Sequence, residues 1–282
     1  MTTYLNETHD EERAFYGISN AVLKGCAFKG AAYGESALKE TSNLVIEDCD
    51  FLLRYPLWHT AGAVVDNIRM TDTCRAALWY DRDITITNSI LGGIKALREC
   101  DNMTLKNCKI NSTEFGWFCR GVKMTDCELI SEYPFLRCSD MEFDGLHMTG
   151  KYSFQYVQNA VIRNSELNTK DAFWHSKNVT VYDSVVKGEY LGWYSENLHL
   201  VRCKIIGTQP LCYAKGLVLE DCEMIDCDLS FEKSDVTAVV LGEIMSVKNP
   251  LSGKITADRI GDVIIDDPDC QCVINVSACC TS

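Results

Sequence analysis

The residues best equipped for chemistry in this 282-residue chain come in adjacent pairs at a nearly fixed interval. Lys39–Glu40, Trp58–His59, Trp79–Tyr80, Arg98–Glu99, Trp117–Phe118, Trp174–His175 and Trp193–Tyr194 form the series, and it takes in all five tryptophans. Indole faces attract cations and carry large apolar surface. A carboxylate or imidazole alongside supplies a proton donor or acceptor. A row of indoles with interleaved cations suits sugar rings or anionic glycans, so an oligosaccharide is the expected partner. Lys39, Glu40, His59, Arg75, Arg98 and Glu99 are the candidates for catalysis. Trp58, Trp79, Tyr80, Trp117, Trp174 and Trp193 are the candidates for substrate contact.

Known reaction schemes fit these residues poorly. A glycosidase needs two carboxyl groups about 5–10 Å apart. Glu40 and Glu99 sit three repeats apart, roughly 14 Å at strand spacing, so the pair fails unless Glu35 or Glu114 joins it. A lyase of the calcium type needs clustered carboxylates and a basic residue. Lys39, Arg75 and Arg98 supply the base, but no carboxylate cluster accompanies them, so Ca²⁺ is not indicated. His59 and His175 lack a visible partner, which favours structural roles. Cys270, Cys272, Cys279 and Cys280 could in number hold Zn²⁺, yet adjacent cysteines serve one metal awkwardly and the intervening VINV reads as a strand. No cofactor is expected. If there is a reaction, a polysaccharide or oligosaccharide lyase or hydrolase is the class.

Twenty-seven Lys and Arg against 40 Asp and Glu leave a net charge of −13. Such a surface repels phosphate backbones and anionic lipids, which excludes nucleic acid and membrane as natural partners. No apolar run approaches the roughly 20 residues of a spanning helix. The opening MTTYLNETHDEERAF lacks a basic and an apolar signal region. The expectation is a cytoplasmic protein whose 16 cysteines are reduced.

The pairs are one column of a larger repeat. Small turn-formers precede an apolar triplet at Asn20, Asn43, Asn67, Asp83, Asn102, Gly121, Asp140, Asn159, Asn178, Asn197, Gly216 and Asp235, with steps of 23, 24 and 16 and then a constant 19. A second series, Gly25, Asp48, Asp72, Asn88, Asn107 and onward, follows five residues later and is broken at Arg202 and Val240. Asn, Asp and Gly tolerate a left-handed backbone, so two bends bracket a short strand in each copy. Apolar residues alternate within that strand, a period of two. Cys or Ser recurs just after it (Cys26, Cys49, Cys108, Cys127, Cys203, Cys222), as an interior ladder of small side chains. The leucine-rich alternative lacks its upstream leucine, and 19 residues leave little room for a helix. The second half of each copy (YPLWH, AALWY, YPFLR, YSFQY, DAFWH) reads as aromatic strand. The fold is therefore all-β: a single right-handed parallel β-helix of about twelve coils. Residues 1–16 form an N-terminal cap, 17–243 the β-helix, and 244–282 a closing segment with a Cys-rich tail.

The stretches ESALKE, YPLW, RAALWY, DAFWHSKNVTVYDS, GEYLGWYSENL and KNPLSGKI, in that order, resemble a bacterial family catalogued only as a domain of unknown function with a pectin-lyase-like right-handed β-helix. The resemblance implies the fold and carries no activity or catalytic residue. Its usual tail differs from DCQCVINVSACC here.

Leu38, Leu57, Leu78, Leu97, Phe135, Phe154 and Phe173 precede the stripe and are uniformly apolar, so alternation turns them inward and the Trp/Lys/Arg stripe outward. Two readings follow. One is carbohydrate binding or modification along the stripe, with Arg75 and the irregular spacings between residues 20 and 83 marking the site. The other is a non-catalytic scaffold that self-associates through the same aromatic surface.

Overall fold

A computed structural model describes residues 1–30 and 35–277. The chain forms two units, Met1–Glu142 and Phe143–Ser282. In the first, Ser19–Lys24, Ser42–Glu47, Ala61–Asp66, Arg82–Thr87, Asp101–Lys106 and Lys123–Thr125 lie side by side in parallel. In the second, Gln158–Arg163, Lys177–Tyr182, Glu196–Val201, Leu217–Ile225, Asp235–Lys248 and Ser252–Ile264 do the same. Parallel neighbours about one repeat apart mean that each unit is a stack of coils, a right-handed parallel β-helix. Among the described residues there is no helix, and hence none long and apolar enough to cross a membrane.

The register corrects one bend. Leu44 pairs with Ala63, and Ala63 with Ile84, so the third coil starts at Gly62, which has φ +69°. Asn67 belongs to the second series of bends instead. The steps are therefore 23, 19, 21 and 19, with no short 16-residue coil. Asn67 and Gly62 both satisfy the left-handed requirement, and the sequence offers no local means to rank them. Trp58 then falls into its column without any allowance. The surplus residues sit in one place: nine separate Phe28 from Leu38 and seven separate Met70 from Leu78, against five between Phe51 and Leu57 and five between Leu91 and Leu97. Two successive connections in the sequence are thus longer than their counterparts.

The bends are left-handed as the residue types require. Asn20, Asn43, Asp83 and Asn102 lie at φ 52–56°, and Asp48, Asn67, Asn88 and Asn107 at 51–55°. Their side chains link successive coils: Asn67 Nδ2 donates to Asp48 at 2.7 Å, Asn107 to Asn88 at 2.7 Å and Asn102 to Asp83 at 3.1 Å. At Gly121 a Cβ would meet the Asn102 amide oxygen at 2.7 Å, so the glycine there keeps room for the ladder. The second series is not broken at Arg202, which takes φ +51° and binds Asp183 through two N–H groups at 2.7 Å.

The aromatic half of the coil departs from the expected strand. Only Leu57–Trp58, Leu78–Trp79 and Leu97–Arg98 pair as short strands. Elsewhere every second residue is left-handed: Tyr152, Phe154 and Tyr156; Asp171, Phe173 and His175; Gln209, Leu211 and Tyr213. Alternating handedness keeps a period of two, which is why the sequence reads the same either way. A bulky residue in this region costs on the order of 1–3 kcal/mol. Phe154 and Phe173 are fully buried, stacked at 5.2 Å, and that burial offsets the strain.

Inside, Leu23, Ile46, Ile86, Leu105, Val181 and Leu200 are almost fully buried, as are the thiols of the cysteine ladder. Burial pushes Cys49, Cys212 and Cys227 up to about 12 and Cys74 to about 11. The described cysteines are all free, and the buried ones pack as small apolar groups.

One core position breaks the pattern. Where other coils carry Thr60, Cys100 or Cys119, the fourth carries Asp81, which is buried. Its Oδ1 accepts the Thr60 N–H at 2.8 Å, while Oδ2 has no partner. Burial, with the Cys100 thiol beside it, raises this carboxyl well above the carboxylate range. A raised acid contributes stability that is full below the ordinary carboxyl value, near 3.9, and is lost as pH rises through the folded value. Asp81→Thr should therefore stabilise the protein by about 1–3 kcal/mol at neutral pH. Urea unfolding at pH 4.5 and 7.5 should show the gain shrinking at the lower pH. An equal gain at both would mean that Asp81 is not held neutral.

Candidate functional site

Each pair of chemistry-bearing residues lies at the corner where the coil leaves its left-handed turn. Leu38, Leu57, Leu78 and Leu97 point inward and are buried. The next two residues both face outward, because the left-handed residue after the stripe (Glu40, His59, Tyr80, Glu99, Phe118) breaks the strict alternation. The result is two rows side by side: a half-buried row containing the indoles, and a more exposed one beside it. Gly116 and Gly192 do not reverse the arrangement, since Trp117 and Trp193 are half-buried like the others.

In the first unit the half-buried row runs Lys39, Trp58, Trp79, Arg98 and Trp117. The Lys39 ammonium sits 5.5 Å from the Trp58 ring, and Trp58 meets Trp79 edge-on at 5.3 Å. The Arg98 guanidinium is 5.1 Å from both Trp79 and Trp117 and 5.3 Å from Phe118. Its side chain is only 16% exposed. Arg98 Nε also donates to Glu99 at 3.4 Å, and its other end lies 3.9 Å from Glu114. Glu99 further accepts the Trp79 indole N–H at 3.2 Å, and Glu114 pairs with Lys95 at 3.3 Å. Glu114 thus joins Glu99 as a second carboxylate, but one guanidinium lies between them and engages both. Two carboxylates held by the same cation are an anchored ion network rather than an acid–base pair.

Glu40 is exposed and stands in the column of His59, Tyr80 and Glu99, three coils from Glu99. His59 stacks on Tyr80 at 5.0 Å. Arg75 belongs to neither row; it lines a notch in the enlarged turn.

In the second unit Trp174 and Trp193 stack in parallel at 5.6 Å. Beside them Tyr156, His175, Tyr194 and Tyr213 stack at successive centroid distances of 4.9, 5.0 and 5.0 Å, with ring planes within 16° of parallel. Tyr213 was not among the residues singled out from sequence. Its coil carries Cys212 where a tryptophan would mark the stripe, although the 19-residue step from Tyr194 points to it.

The indole N–H groups are already engaged. Trp58 donates to the Ala76 carbonyl at 2.8 Å, Trp174 to Tyr190 at 2.8 Å and Trp193 to Gln209 at 2.8 Å, in each case three residues before the next coil's stripe position. Trp117 donates to Tyr133 in the same way. Four tryptophans therefore pin one coil to the next. Among the described residues no group of three or more His, Cys, Asp and Glu side chains gathers closely enough to hold a metal. Cys270 and Cys272 are half-buried and free, while Cys279 and Cys280 lie outside the described residues.

Parallel coils stacked in register and turned at paired left-handed bends define a right-handed parallel β-helix. The chain belongs to the family described as "Protein of unknown function (DUF3737)", which it matches over residues 2–276. No curated protein matches it in sequence. Among solved structures it is similar to the mannuronan C-5 epimerase AlgE4 A-module of Azotobacter vinelandii, with 10% identity over 93% of this chain and 91% of that one and a TM-score of 0.37. PfbA, a surface adhesin of Streptococcus pneumoniae, gives 12% identity over 93% and 77%, also with a TM-score of 0.37. A tailspike protein of E. coli bacteriophage HK620 gives 9% identity over 87% and 60%, with a TM-score of 0.36.

If the indoles pin the coils, Trp193→Phe should cost stability through the lost N–H as well as through the smaller ring. It removes the N–H and leaves the Gln209 carbonyl with only the weak Cys212 thiol donor at 3.6 Å, a loss of about 1 kcal/mol. Urea unfolding of the variant measures this; an unchanged midpoint would remove the structural role of the N–H.

Proposed function

We propose that this protein binds an extended carbohydrate along its outward aromatic rows. The observation that carries the reading is the stack of Tyr156, His175, Tyr194 and Tyr213 at 4.9–5.0 Å. Rings stacked along the coil axis hide their faces in one another and turn their rims to solvent. The rims of this stack carry phenol hydroxyls and an imidazole, which both donate and accept hydrogen bonds. They offer one polar head per coil, a regular ladder for the hydroxyl groups of a chain that lies along the axis. The indole row beside it supplies apolar surface without spending its N–H groups, which are turned to the backbone. In the first unit His59 and Tyr80 form a shorter ladder of the same kind, with Trp58 and Trp79 alongside.

Binding is the function this arrangement supports, ahead of catalysis. Arg98, Glu99 and Glu114 are committed to one another and to the indoles. Self-association through the same surface is the second reading. It is favoured by Phe118, 41% exposed and without a polar head.

The test is calorimetric titration with neutral and uronate oligosaccharides of increasing length, with and without Ca²⁺. Affinity should grow with length as more rungs engage, and should fall at least tenfold, about 1.4 kcal/mol, in a folded Tyr194→Ala variant. Binding that is absent for every sugar, together with a dimer by sedimentation that Phe118→Ser dissociates, would replace the proposal with the second reading.

A further inference from the structure

Gly30 and Glu35 on one side and the enlarged turn at 71–77 on the other flank the ordinary turn at 52–56. They leave between them a notch of about 530 Å³, within the range of small-molecule sites. Leu52, Leu53 and Ile94 give it apolar surface, and Ile94 is 42% exposed there. Of its two arginines, Arg54 is taken: it pairs with Glu35 and lies over the Tyr55 ring.

Arg75 and Asp72 differ. They flank one tight turn, closed by the Cys74 N–H on the Thr71 carbonyl at 3.0 Å and the Arg75 N–H on the Thr73 carbonyl at 2.8 Å. Both are exposed and both line the notch. Among the described residues neither forms an ion pair, with the other or with a third group. Opposite charges three residues apart are held open across a turn whose backbone is fixed.

The ligand complementary to a split ion pair over apolar surface carries both charges and an apolar substituent. We propose that this notch binds a zwitterionic α-amino acid with an apolar side chain. The Arg75 fork takes the carboxylate by parallel N–H donation. Asp72 takes the ammonium, and Leu52, Leu53 and Ile94 cover the side chain. Two arginines and two acids, Glu35 and Asp72, make the lining neutral, which suits a ligand of no net charge. A phosphate dianion would face both carboxylates with only one uncommitted cation. The site is separate from the aromatic rows, so neither proposal depends on the other.

Calorimetric titration of the whole chain with L-leucine, N-acetyl-L-leucine and L-leucine methyl ester decides the matter. The first carries both charges, the second only the carboxylate, and the third only the ammonium. Leucine should bind saturably, with each analogue at least tenfold weaker. Arg75→Gln should weaken leucine at least tenfold and leave the ester unchanged; Asp72→Asn should weaken leucine and leave the N-acetyl compound unchanged. No saturable heat with leucine at millimolar concentration overturns the proposal. Equal binding of leucine and its N-acetyl derivative overturns it too, because Asp72 would then read nothing. The comparison among the three ligands on the unaltered protein stands whatever the variants do.

Discussion

The constraint from which the rest follows is that no coil has a core of its own. A turn of about 19 residues encloses a few inward side chains, and its backbone N–H and C=O groups point up and down the stack. Those groups find partners only if a second coil lies in register on the first. Every residue is thereby placed against its own counterpart one coil away. Side chains must therefore tolerate self-stacking, and the composition of each column follows. Leucine and isoleucine fill the inner columns, thiols and hydroxyls the tight corners, and Asn or Asp the left-handed bends, where their amides bridge to the next rung.

In several columns charge obeys the same rule by alternating in sign. Register partners Lys24 and Glu47 meet at 2.9 Å, Lys177 and Glu196 at 3.0 Å, and Asp50 and Arg69 at 2.8 Å. Each is an exposed pair worth little alone. Together they avoid the repulsion that like charges stacked at strand spacing would produce. The aromatic corner is the analogue for large side chains. Arg98 replaces an indole between Trp79 and Trp117, and the stack continues through its planar guanidinium.

Much of this was legible because a solenoid writes its geometry into its period. Alternating apolar residues, bend residues at a constant step and inward Leu38, Leu57 and Leu78 placed the strand, the bends and the outward corner. What was not legible has local physical causes. Gly62 and Asn67 both suit a left-handed bend, and only backbone pairing of Leu44 with Ala63 separates them. The turn containing Phe154 and Phe173 shares its period of two with a strand. Arg202 hides a bend because its side chain, unlike that of Asn, gives no sign of left-handed tolerance, and its pairing with Asp183 is visible only in three dimensions. The commitment of four indole N–H groups to a carbonyl 16 or 18 residues on, and of the Trp79 N–H to Glu99, is likewise a matter of ring orientation, which spacing does not encode.

The same constraint explains where unspent chemistry collects. In a regular coil a charged residue has a counterpart above and below, and the stack often supplies a partner of opposite charge, as Glu99 and Glu114 engage Arg98. A residue escapes only where the register supplies the wrong neighbour or none. Arg75 has Arg54 on one side, already taken by Glu35, and Ile94 on the other. Asp72 lies in the enlarged turn beyond the paired strand and has no counterpart in the columns at all. Regular coils therefore offer repeated, low-energy contacts suited to a long ligand that repeats. The irregular turn holds free charges in fixed positions, suited to a small ligand that does not. The division between ladder and notch is thus a division between residues that the stacking rule reaches and residues that it leaves alone.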